Sequence, residues 1–410
     1  MISRSDAEAL DRADPLAHLR DCFLLPEGVI YLDGNSLGPL PKAVPERLQT
    51  VLRQEWGEGL IRSWNEAHWI ELPHRVGAKI APLIGAASDE VVVTDSTSVN
   101  LFKLLAAALA MQPGRRVILS ERGNFPTDLY IAEGARDFLS GGPELRLVAS
   151  DRLIEAMSSE VAVFSLTEVD FRTGYRHDMR ELTAAAHRHG ILTLWDLSHS
   201  VGAMPVRLDE AEADLAIGCG YKYLNGGPGA PAFLYVRREL QGRMRQPLEG
   251  WMGHRAPFEF DPTYAPAGGI ARMLCGTPPV LSMAALDAAL ELWRDVDLRA
   301  VRAKSVGLAD LFITLIEANG LGEIELASPR VADRRGSQVS FRHREAYAVV
   351  QALIAEGVIG DFRAPDLMRF GLAPLYLRHI DVFDAALRLV DILRGGRWDR
   401  PEFRRRRPVT

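Results

Sequence analysis

The sequence predicts an α/β protein, with a large domain built on a mainly parallel, helix-covered sheet and a smaller α+β domain after it. Three observations predict this. Short apolar runs alternate with segments of helical periodicity through the first two thirds of the chain. Glycine and proline then cluster between Pro247 and Pro279, where the alternation stops. Finally, 410 residues exceed one small module and suit two domains. The expected division is an N-terminal segment over 1–60 packing against both domains, a large cofactor-binding domain over 61–279, and a small C-terminal domain over 280–410.

The elements follow in order. Val91-Val92-Val93 is a β-branched strand, and the polar Asp95-Ser96-Thr97-Ser98 caps a helix carrying Leu101, Leu104, Leu105 and Ala108. A strand over 116–119 leads through Gly123 and Pro126 into a helix from about Asp128. Strands over 145–148 and 161–166 come next, then a helix over 178–188 that stops at Gly190. The strand over 191–195 ends in Asp196, the one over 215–217 runs into Cys219-Gly220-Tyr221-Lys222, and 232–236 closes the series. Strands apolar on both faces are buried on both faces, hence the parallel sheet. Beyond Pro279 a helical stretch runs from 281 towards 317 with a break near Asp297. A strand over 338–341, a helix bearing Tyr347 and Val350, strands over 358–362 and 367–372, and a helix bearing Phe383 and Leu387 complete the small domain.

Composition excludes several classes. Hydrophobic residues are 47% and charged residues 25%, which is globular and not disordered. The net charge of -6 offers no bulk attraction for nucleic acid or an anionic membrane, and the basic run Arg404 to Arg407 reads as a solvated tail. Lys103 and Asp287 interrupt the most apolar stretches too early for a membrane span. Three scattered cysteines and a charged N-terminus without a signal-peptide core fit a cytoplasmic protein.

In an open α/β sheet, ligands bind at the carboxyl ends of the strands. The cap at Asp95 to Ser98 is a seat for phosphate, or simply a helix cap. Asp196 ends an apolar strand, where a carboxylate needs a cation, and His199 follows three residues later. Lys222 lies between small residues just past another apolar strand, and a desolvated lysine can form a Schiff base. A lysine, a carboxylate and a phosphate seat are what pyridoxal phosphate requires.

The chain resembles the kynureninase family, of pyridoxal phosphate fold type I within the aspartate aminotransferase superfamily. The resemblance rests on Tyr31-Leu32-Asp33-Gly34-Asn35-Ser36-Leu37-Gly38, Ile61-Arg62-Ser63-Trp64, Thr97-Ser98-Val99-Asn100-Leu101, Phe125-Pro126-Thr127-Asp128, Asp196-Leu197-Ser198-His199, Tyr221-Lys222-Tyr223-Leu224-Asn225, Gly250-Trp251 and Gly276-Thr277-Pro278-Pro279. It implies a homodimer that hydrolyses L-kynurenine to anthranilate and L-alanine in tryptophan breakdown. Lys222 resembles the Schiff-base lysine, Asp196 the partner of the pyridinium nitrogen, and His199 a contact to the phenolic oxygen or phosphate. Thr97 and Ser98 resemble the phosphate seat, Phe125 a ring-stacking residue with Asp128 beside it, and Thr167 a further cofactor contact. Tyr221 would bond the phosphate and relay a proton. Trp251 and Thr277 resemble residues that reach the cofactor across the dimer interface, Trp64 lies over the substrate ring, and Arg369 matches the arginine for the substrate carboxylate. Vertebrate members tend to carry His at Trp64 and Asn at Thr277, which implies a preference here for kynurenine without a ring hydroxyl. On chemistry alone, a cysteine desulfurase, an aminotransferase or a nucleotide-binding α/β protein using Gly226 to Gly229 stay open as alternatives.

Overall fold

The computed structural model describes residues 2–139 and 141–407. The central sheet has seven strands: β1 (Val91–Val93), β2 (Val117–Glu121), β3 (Glu144–Val148), β4 (Val161–Thr167), β5 (Leu192–Asp196), β6 (Leu215–Gly218) and β7 (Phe233–Val236). Their spatial order is β1-β7-β6-β5-β4-β2-β3. Only β7 runs antiparallel to its neighbours, so the sheet is mainly parallel as expected.

Side-chain alternation divides each strand between two cores. Val92, Ile118, Val163, Leu194, Ile217 and Leu234 face one cluster with Leu101, Leu104 and Leu105 of helix α1 (Thr97–Met111) and Ala132 of α2 (Pro126–Phe138). Val91, Leu119, Phe164, Trp195, Ala216 and Phe233 face the other, with Leu182, Ala185 and Ala186 of α3 (Met179–Arg188). Helices therefore cover both faces. The exception is β3, an edge strand paired with β2 alone, in which Glu144 is exposed and the other residues are only partly buried.

The C-terminal part contains α4 (Val280–Leu290), α5 (Leu298–Ala318), α6 (Ala346–Ala355) and α7 (His379–Arg394). Asp297 breaks the long helical stretch, its side chain accepting from Arg299 N as the N-cap of α5. A four-stranded antiparallel sheet runs β8 (Glu325–Leu326), β9 (Gln338–Arg342), β11 (Leu367–Gly371), β10 (Asp361–Arg363). The single strand expected over 358–362 is divided. Val358–Ile359 pairs in parallel with Ile30–Tyr31, and past Gly360 the chain pairs with β11 instead. Gly360 packs directly on Phe370, which is where the partner changes.

The N-terminal segment touches both parts. Asp11, from the helix Arg4–Arg12, accepts from the backbone N–H of His379 and Ile380 at the start of α7. Gly38 N donates to Tyr221 O at 2.8 Å. No helix among the described residues is long and apolar enough to cross a membrane.

Candidate active site

The strand ends bring the predicted residues together. Thr167 at the end of β4 is in register with Asp196 at the end of β5, and Asp196 with Ile217 of β6. From β6 the chain turns through Gly220, where a Cβ would stand 2.6 Å from Pro231 O and 2.9 Å from Leu286. The turn closes with Asn225 N donating to Lys222 O and Gly226 N to Gly220 O. This seats Lys222 with 9% of its surface exposed.

The Lys222 Nζ lies 3.0 Å from His199 Nε2 and 5.8 Å from the ring centroids of both Phe125 and Tyr221. Among the described residues no carboxylate forms an ion pair with it. A buried amine without a counter-ion is costly unless a further group completes its surroundings. Asp196 is equally buried, and its Oδ1 accepts from Ser198 N at 2.7 Å. Burial, then the nearby Asp196, raises the Asp128 carboxyl well above the usual carboxylate range. Burial also pushes the Tyr221 phenol up, which keeps it a hydrogen-bond donor. His199 is pushed well below the ordinary imidazole range by burial and then by Lys222, Arg369 and Arg363.

The N-terminus of α1, expected to seat a phosphate, lies beside Tyr221. Ser96 caps α1, its hydroxyl accepting from Val99 N at 3.3 Å, so Thr97 and Ser98 occupy the first turn. A cavity of about 410 Å³ opens there, lined by Asp95, Ser96, Tyr221, Gly229 and Thr277 among others. Asp95 does not repel an anion outright, because Lys103 lies 2.7 Å from its carboxylate. A buried unpaired lysine, a strand-end carboxylate, an aromatic ring and a helix N-terminus match the donor set of pyridoxal phosphate.

Arg369 is 1% exposed, which rules out a surface role. Four of the five N–H groups of its guanidinium are engaged: Nε and Nη2 on the two oxygens of Asp361 at 2.8 and 2.5 Å, Nη2 on Ser36 Oγ at 2.8 Å, and Nη1 on Phe171 O at 2.6 Å. Trp64 and Trp251 are not drawn into this cluster within one chain. Trp64 packs edge-on against Trp69, with ring centroids 5.9 Å apart, and Trp251 packs against Phe258 and Phe260.

Several residues of the site are not evident from sequence. Asn124 accepts from Thr167 N at 3.2 Å and ties the Phe125 loop to β4. Gln338 and Asp361 reach in from the small domain. Asp361 stands directly opposite Arg369 in the β10–β11 register, so a hairpin alignment of these two strands would have flagged it as a cross-strand charge pair.

The whole architecture is that of fold-type-I pyridoxal phosphate enzymes. Among solved structures it is similar to the cystine C–S lyase C-DES in complex with cysteine persulfide, with a TM-score of 0.77, 18% identity, and coverage of 89% of this chain and 98% of that one. It is also similar to a cysteine desulfurase from Thermococcus onnurineus, with a TM-score of 0.76, 19% identity, and coverage of 92% and 98%. Sequence relatives narrow the class. The family model for the kynureninase C-terminal domain matches residues 301–389. Kynureninases from Burkholderia mallei and Pseudomonas fluorescens are 54% and 53% identical, each over 100% of this chain and 100% of the relative. The chain belongs to the kynureninase family.

Proposed function

We propose that this protein hydrolyses L-kynurenine to anthranilate and L-alanine, with pyridoxal phosphate held by Lys222. The observation that carries the reading is the buried, unpaired Lys222 amine facing His199 beside Asp196, in a chain that is full-length similar to kynureninases. When bound, the cofactor supplies an electron sink for cleavage of the substrate's Cβ–Cγ bond. The protein's own residues do the rest. Thr97 and Ser98 at the start of α1 bind the phosphate, and Tyr221 donates its hydroxyl there. Asp196 would partner the ring nitrogen of the cofactor, Phe125 would stack on its ring, and Thr167 and His199 would supply further contacts to it. The Lys222 amine takes the proton from the substrate's α-carbon. Burial pushes the Tyr221 phenol up, so Tyr221 would serve the hydration step as a hydrogen-bond donor. Arg369 takes the substrate carboxylate by exchanging its bonds to Phe171 O or Ser36.

A desulfurase reading fits the fold alone. Such chemistry needs a thiol with a depressed pKa. Burial pushes Cys219 and Cys275 up instead.

The protein acts as a homodimer with shared sites. Trp56, Leu60 and Ile61 are 56%, 60% and 77% exposed, and Phe258 and Phe260 beside Trp251 are 59% and 75% exposed. So much exposed apolar surface favours a second copy. In that assembly Trp251 and Thr277 complete the partner's site, and Trp64 lies over the substrate ring. The three free thiols suit a cytoplasmic setting. Incubation with kynurenine and cofactor, with no keto acid added, tests the activity: anthranilate and alanine should form together.

A further inference from the structure

The small domain sends a buried side chain to His199, the histidine that faces the lysine. Gln338, at the start of β9, is 1% exposed. Its amide nitrogen donates to Phe171 O at 3.0 Å and Asp170 O at 3.4 Å, both on the loop after β4. Two carbonyls on one side leave the amide a single orientation that satisfies them. The Gln338 oxygen is thereby turned onto His199 Nδ1, 3.1 Å away. An amide oxygen only accepts, so Nδ1 must carry a proton. Burial, then the neighbouring Lys222, Arg369 and Arg363, disfavours the charged form of His199, and an Nε2–H would point at the Lys222 amine, itself a donor. A neutral imidazole has one N–H, so Nε2 is bare, and that atom stands 3.0 Å from Lys222 Nζ.

We infer that Gln338 is a positioning residue that fixes His199 as the Nδ1–H tautomer and so presents a bare Nε2 to orient the Lys222 amine. The opposite tautomer would set oxygen lone pairs against a bare Nδ1 and an Nε2–H against the Lys222 ammonium. Both contacts would then be lost together. Gln338 thus ties the seating of the small domain to the aim of the lysine. The inference deepens the reading of Lys222 as the reactive amine and rests on it.

The test is ¹⁵N-histidine spectroscopy of the cofactor-free full-length chain at neutral pH, with a His199→Asn sample to assign the resonance. His199 should show a protonated Nδ1 and an unprotonated Nε2. An Nε2–H form or an imidazolium in the unaltered protein would overturn the inference. In Gln338→Leu the Nε2–H share should rise several-fold, and an unchanged pattern in that folded variant would equally refute it. Gln338→Glu keeps an acceptor oxygen at Nδ1 and should retain the Nδ1 proton. Should the leucine variant not fold, the unaltered protein and the glutamate variant decide, since Nε2-only protonation in either sinks the idea. No cofactor or substrate is present, so failure here leaves kynurenine hydrolysis standing, and failure of the product assay leaves the tautomer standing.

Discussion

At the scale of the residue, Lys222, Asp196 and His199 were legible because each follows an apolar strand, where sheet topology puts ligands. Asp128 and Gln338 carry less in the sequence. A carboxyl near a helix start reads as a cap, and a glutamine opening a strand reads as nothing in particular. Only the fold sets Asp128 against Asp196 and Gln338 against His199. Lys222→Ala should lose the visible absorption of bound cofactor on dialysis, and turnover should fall by at least about 10²–10⁴-fold, the usual weight of a proton-transfer residue. Asp196→Asn should bind cofactor yet lose turnover, while its melting temperature moves little. Full activity in that variant would remove Asp196 from the electronics of the site. His177 gives a pH prediction. Burial pushes it down to about 4 from 6.5. The unfolded chain therefore binds its proton first as pH falls, so stability present above pH 6.5 is lost on the way to pH 4, by roughly 3 kcal/mol. Glu121, 3.4 Å away, does not rescue it, because burial pushes that carboxyl up and reduces its charge. Denaturant titrations at several pH values should show this slope, and His177→Leu should lack it.

At the scale of the element, periodicity located all seven strands of the large sheet. Boundaries moved where capping decides: α2 begins at Pro126 because proline suits the first turn. The division of 358–362 was not legible, because the change of partner at Gly360 depends on Ile30–Tyr31, more than three hundred residues earlier in the chain. The loop carrying Lys222 is held from outside by the N-terminal segment. A Cβ at Gly38 would strike Lys222 O and the Asn225 side chain. Gly38→Ala should therefore weaken cofactor retention more than it weakens folding, as read by dialysis and thermal melting of the same samples. Ser96→Ala removes the cap of α1 and should cost about 1 kcal/mol of stability, together with weaker phosphate binding. A variant that binds inorganic phosphate and cofactor as before would detach Ser96 from the seat.

At the scale of the molecule, the two-domain plan was readable from the change of pattern after Pro279, and the shared active site was implied only by resemblance. A single chain leaves Trp251 packed against the exposed Phe258 and Phe260, and Trp64 edge-on to Trp69. If a second copy completes the site, mixing Lys222→Ala with a Thr277→Ala chain should restore activity through hybrid dimers, whereas either variant alone stays inactive or weak. With Trp64 offering an indole face and no acceptor, kcat/KM should favour kynurenine over its 3-hydroxy analogue, by at most about 100-fold. Equal values would free Trp64 and Thr277 from that choice. The most direct measurement follows the products of the purified protein supplied with pyridoxal phosphate and L-kynurenine. Equimolar anthranilate and alanine, formed without any keto-acid acceptor and abolished in Lys222→Ala, is the predicted result. No anthranilate from kynurenine, with alanine and sulfur released from cysteine instead, would contradict the account.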